Sequence, residues 1–102
     1  MPRVAFVMEL LPGNEAVYRR LHDEIWPEMV ETLHRFGIHN YSIFRRGLTL
    51  YAYLECADPT RLSEQGADPV VQRWWQMMRP YMVYQPDGTP WTEPLEEVFH
   101  LD

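Results

Sequence analysis

Tyr18, His22 and Trp26 recur at i, i+4 and i+8, the spacing that stacks side chains along one face of a helix. A phenol, an imidazole and an indole in one row suit a sugar. The rings offer apolar faces to C–H surfaces, and the polar atoms can bond hydroxyls. His22 is the member that exchanges protons readily near neutral pH. The same row also reads as the amphipathic edge of a helix with His22 half-exposed and idle, and spacing alone does not separate the two.

A second group is Gln72-Arg73-Trp74-Trp75-Gln76-Met77-Met78. Adjacent residues on a helix point about 100° apart. The two indoles therefore do not share one narrow slot, and one of them is expected to line a cavity or an interface; core or dimer packing accounts for the pair equally well. Tyr41 is a third candidate, on a strand whose alternation puts His39, Tyr41 and Ile43 on one face, where it also reads as an ordinary strand aromatic. His34, His39 and His100 have no metal-ligand spacing, and there is no Cys/His cluster and no glycine-rich phosphate loop. No metal site is expected. Glu24, Glu28 and Glu31 read as a solvated helix face.

These side chains need a frame. Arg3–Leu10 is rich in β-formers and apolar on both faces, as an interior strand would be. Pro12-Gly13-Asn14 breaks it, with Asn14 placed to cap a helix. Val17, Leu21, Ile25, Met29, Leu33 and Phe36 then recur at helical spacing. Pro27 lies inside that pattern and predicts a kink or a fresh start near Trp26. Gly37 is placed as the C′ residue. Ile38–Arg45 and Leu48–Cys56 read as an antiparallel hairpin around Arg46-Gly47. Asp58-Pro59 opens a short helical piece to about Gln65, and Asp68-Pro69 opens a helix to about Met78. Residues 79–94 hold four prolines and a glycine and predict a long packed loop. Leu95–Leu101 (LEEVFHL) reads as a final strand.

The order strand, helix, strand, strand, helix, strand is that of an α+β, ferredoxin-like βαββαβ fold: a four-stranded antiparallel sheet with both helices on one face. The other face carries Tyr, Trp and apolar residues, and pairing two sheets across a two-fold axis is the simple remedy. The chain has 102 residues, enough for one domain spanning 1–102 with a modest core. It is 46% hydrophobic and 14% aromatic, with 24% charged residues, a globular balance. A net charge of −6 with scattered arginines supplies no footprint for nucleic acid. One cysteine, Cys56, excludes an internal disulfide and reads as a small buried apolar residue. No membrane span or signal-peptide layout is visible, so the cytoplasm is the default location.

Several segments, in this order, carry a resemblance to a known family: AFVM at 5–8, Y-x-x-x-H followed by IWPE within 18–28, HNYSI at 39–43, QRWW at 72–75 and EVFHL at 97–101. Over nearly its whole length the chain resembles the L-rhamnose mutarotases. The resemblance implies a homodimer, a dimeric α/β barrel assembly with a sugar pocket on each sheet. It implies His22 as the catalytic proton donor, Tyr18 and Tyr41 as substrate contacts, and Trp74 and Trp75 as the pair lining the site. The hairpin at Arg45–Leu48 is shorter than the family's usual turn, and QPDGTP at 85–90 stands where the family more often has an NPDNSP-like stretch. The implied reaction interconverts the α and β anomers of L-rhamnose or a related aldose by ring opening and reclosure. Only protons move, so no cofactor is required. General acid–base help of this kind is worth roughly 10²–10⁴-fold. The complementary base is left open among Tyr41, another side chain and a bound water. The rival readings are a cofactor-free or haem-dependent monooxygenase on the same architecture and a non-catalytic sugar-binding dimer.

Overall fold

A computed structural model describes residues 1–102. Its elements run β1 (Arg3–Glu9), α1 (Glu15–Asp23), α2 (Pro27–Arg35), β2 (Ile38–Arg46), β3 (Thr49–Cys56), α3 (Pro69–Met78) and β4 (Glu93–Leu95), with 3-10 turns at Pro59–Ala67 and Arg79–Tyr81. The sheet order is β2-β3-β1-β4 with every neighbouring pair antiparallel, the order of the split βαβ arrangement. β1 is interior, as its two apolar faces require.

The register assigns the faces. Val4, Phe6 and Met8 lie opposite Leu54, Ala52 and Leu50. These pairs form the inner face, on which Tyr18, Met29, Phe36, Val71, Trp74 and Met78 of the helical layer close the core. The outer face carries Ala5, Val7, Tyr51, Tyr53 and Phe44. Its aromatics are tyrosines and a phenylalanine, and no strand contains tryptophan. Cys56 is fully buried, its thiol donating to the Phe36 carbonyl at 3.5 Å.

Pro27 divides the long helical pattern into two helices rather than bending one. It occupies the first turn of α2, where a missing N–H costs nothing. The Trp26 carbonyl accepts from Met29 and Val30 at 3.0 and 3.1 Å. Asn14 does precede α1, but its side chain donates back to the Leu11 and Pro12 carbonyls instead of capping the helix. Asp68 caps α3, accepting from the Val70 and Val71 amides, and Gly37 ends α2 with φ +78°.

The final strand differs from expectation. It spans Glu93–Leu95, paired with Ala5–Val7 of β1, and not Leu95–Leu101. Residues 96–102 run past the sheet with no ladder partner in their own chain. An Arg3–Glu97 ion pair at 2.7 Å holds them. Val98, Phe99 and Leu101 are 78–85% exposed.

Candidate active site

One turn of α1 separates Tyr18 from His22, and the two rings stack with centroids 4.2 Å apart at an interplanar angle of 30°. The His22 ring then meets Trp74 of α3 edge to face at 5.3 Å, and Trp74 meets Trp26 in the same way at 5.2 Å. Tyr18 and His22 thus face the cavity between the helices and the sheet, whereas Trp26 lies behind the site and buttresses Trp74. The break at Pro27 moves Trp26 out of the row that a continuous helix would have made.

The cavity has a volume of about 1010 Å³, at the upper end of the range for small-molecule sites. Tyr18, His22, Tyr41, Trp74 and Trp75 all line it. Both tryptophans therefore reach the same hollow, not one alone, because it is wide enough to receive indoles from two directions. Trp74 is buried and Trp75 half-buried.

Tyr41 arrives by a route that period-two alternation misses. The ladder between β2 and β3 slips between His39 and Ser42: His39 lies opposite Glu55 and Ser42 opposite Tyr53. Asn40 and Tyr41 are thus both set against Leu54, a β-bulge. Asn40 takes φ +50° there and donates to Glu55 Oε1 at 3.0 Å. The extra residue rotates the strand, so His39 sits on the outer face while Tyr41 joins Ile43 on the cavity side. The expectation that all three share a face is corrected accordingly.

Sequence reasoning missed Tyr84, Arg45 and Glu15, which also line the cavity. Tyr84 comes from the proline-rich loop, where its hydroxyl donates to the Trp75 carbonyl at 2.6 Å. Its part was hidden because no local spacing links it to His22. Arg45 shares the inner face with its ladder partner Leu50, a signal that the register gives and alternation alone did not.

The electrostatics are set by enclosure. Burial lowers the His22 pKa below its ordinary value, only partly offset by the bond to the Tyr18 carbonyl and the nearby Asp23. That bond joins His22 Nδ1 to the Tyr18 carbonyl oxygen at 3.0 Å. A carbonyl only accepts, so Nδ1 carries the proton and Nε2 keeps a free lone pair. Burial drives the Tyr18 phenol well above its usual range. Tyr41 keeps 36% of its surface exposed, yet enclosure of its hydroxyl pushes that phenol up to about 12. Both phenols therefore keep their protons at neutral pH and can donate hydrogen bonds. No group of three or more His, Cys, Asp or Glu side chains could hold a metal ion.

An L-rhamnose mutarotase family model matches residues 3–101. The chain belongs to the L-rhamnose mutarotase family. It is 43% identical to the L-rhamnose mutarotase of Listeria monocytogenes over 99% of both chains, and 46% identical to that of Leptothrix cholodnii over 98% of this chain and 96% of the relative. The crystal structure of an L-rhamnose mutarotase from Formosa agariphila superposes with a TM-score of 0.92 at 34% identity over the whole of both chains. Tetracenomycin F2 cyclase from Streptomyces glaucescens, at 20% identity and TM-score 0.68 over 100% of this chain and 98% of that one, shares the fold. Family membership makes the chain an anomer-interconverting carbohydrate isomerase and displaces the oxygenase and non-catalytic readings.

Proposed function

We propose that this L-rhamnose mutarotase works through His22 as a single proton shuttle. The observation that carries the proposal is the bond of Nδ1–H to the Tyr18 carbonyl, which leaves Nε2 unprotonated on a ring that lines the aromatic cavity. The anomeric hydroxyl oxygen and the ring oxygen are bonded to the same carbon, so one imidazole reaches both. Nε2 takes the proton of the anomeric hydroxyl. The bond from C1 to the ring oxygen breaks, and the imidazolium gives the proton to that oxygen. The product is the open-chain aldehyde. Rotation about C1–C2 presents the other carbonyl face, and the same steps in reverse close the ring as the other anomer. His22 is thus the donor in each half-reaction only after it has been the acceptor. The balance is one proton moved from O1 to O5 and back, with no co-reactant.

The phenols of Tyr18 and Tyr41 donate hydrogen bonds to the sugar, and Trp74 and Trp75 cover its C–H faces. Stabilising the transient charge in a dry site is worth more than in water.

The molecule works as a homodimer in this account. Phe44 is 65% and Tyr51 40% exposed on the outer sheet face. A second copy would cover them, together with the exposed Val98, Phe99 and Leu101 of the tail. No helix is long and apolar enough to cross a membrane, and a cytoplasmic site of action suits an enzyme of free-sugar metabolism.

Saturation-transfer NMR on L-rhamnose tests the function. The enzyme is expected to accelerate transfer between the α and β anomeric proton signals. Exchange no faster than in buffer, across 6-deoxy sugars and pentoses, would reject it.

A further inference from the structure

A carboxylate stands without a partner in the wall of the sugar cavity. Glu15 opens α1 and lines the hollow beside Tyr18 and His22. Its Oε1 is buried and is the one such side-chain oxygen or nitrogen in the chain that makes no hydrogen bond. Glu15 joins no ion pair, although Arg19 and Arg45 line the same hollow. A buried acceptor left unsatisfied costs its desolvation with no return, and native folds keep few of them.

Positions 15, 18 and 22 are related as i, i+3 and i+7, one stripe along α1. Helical rise sets Glu15 about 10.5 Å from His22 along the axis, room for a pyranose with a hydrogen bond at each end. The His22 end holds the anomeric carbon. The far end holds hydroxyls that take no part in the reaction, and these are donors. We infer that Glu15 is a specificity-determining residue that receives the sugar hydroxyls remote from the anomeric carbon, its two oxygens suiting a vicinal pair. This rests on the placement of His22 at the anomeric oxygens.

The test measures anomer exchange by wild type, E15Q and E15A on L-rhamnose and on its 3-deoxy and 4-deoxy analogues, with a melting curve for each protein. Wild type should lose roughly tenfold in kcat/KM when the partnered hydroxyl is removed, the usual scale for a hydrogen bond to a charged group. E15A should lose a similar factor on L-rhamnose, falling on KM more than on kcat, and should then accept the deoxy sugar as well as the parent. E15Q, which keeps the volume and one acceptor, should fall between. E15A should melt no lower than wild type, because the unpaired charge it removes does not stabilise the empty protein. Active wild type with E15A equally sensitive to the missing hydroxyl, or with unchanged KM, would overturn the role of Glu15 alone. A lowered melting point with equal losses on every sugar would make Glu15 structural and overturn it too. Wild type inactive on every sugar would overturn the placement of His22 and this inference with it.

Discussion

His22 is held from within its own helix by Tyr18, whose carbonyl oxygen takes the Nδ1 proton at 3.0 Å while its ring stacks on the imidazole at 4.2 Å. One residue thereby sets the tautomer, the orientation and part of the burial of the imidazole. The backbone and side chain of Tyr18 do these jobs separately, which makes them separable by mutation.

The first prediction concerns pH. Burial holds the His22 pKa below 6.5, so the neutral, proton-accepting ring persists into mildly acidic solution. Exchange should be flat from neutrality down past pH 6.5 and fall only below it, with the ring's own NMR titration tracking the fall. Stability follows the same sign. The unfolded chain binds this proton at a higher pH than the folded one does, so the fold loses stability as pH drops from the unfolded value through the folded one. A His22 midpoint at or above 6.5 would contradict the assignment.

Tyr18→Phe keeps the carbonyl and the ring and removes only the hydroxyl. The variant should fold normally, leave the His22 titration near its wild-type position, and bind sugar more weakly by roughly tenfold, the loss of one contact. Tyr18→Ala should also cost about 3–5 kcal/mol of stability for an emptied buried aromatic site. Denaturant midpoints and KM together check the pair.

Asn40 holds the bulge that aims Tyr41. A β-branched residue is strained at φ +50°, so Asn40→Val should cost about 1–2 kcal/mol and raise KM by misdirecting Tyr41. Asn40→Gly accepts the backbone conformation and should hold KM nearer wild type while losing the bond to Glu55. Equal KM values for the two variants would show that the bulge does not position Tyr41.

Trp75 is half-buried, and the Tyr84 hydroxyl bonds its main-chain oxygen rather than its side chain. Trp75→Ala should therefore weaken sugar binding at a modest cost to stability. Trp74→Ala removes the ring that touches both His22 and Trp26 and should cost about 3–5 kcal/mol. Thermal melts and sugar titrations of the two variants distinguish the roles.

Ending the chain after Leu95 leaves the β1–β4 ladder intact and removes Val98, Phe99 and Leu101. Sedimentation should show a dimer for the full chain and a shift toward monomer for the shortened one. A full-length monomer at micromolar concentration would contradict the dimer.

Much of this was legible in the sequence because it is local. Helical spacing pairs Tyr18 with His22, Pro27 starts a new helix, and Asp68-Pro69 caps α3. The misses have one cause, that neighbours far along the chain decided them. Tyr41 reaches the cavity because a left-handed Asn40 shifts the ladder with β3, which no period-two pattern contains. LEEVFHL holds apolar β-formers that suggest a strand, but β1 pairs with Glu93–Leu95 and leaves the rest without a ladder. Glu15 and Tyr84 join the site only once α1 and the proline-rich loop meet over the sheet.

The most direct test is the anomer exchange rate of His22→Phe, which keeps an aromatic ring of similar size and removes Nε2. With a wild-type melting transition and retained L-rhamnose binding, saturation transfer in the variant should fall by roughly 10²-fold or more toward the buffer rate. A folded, sugar-binding His22→Phe enzyme that still exchanges the anomers at the wild-type rate would contradict the account.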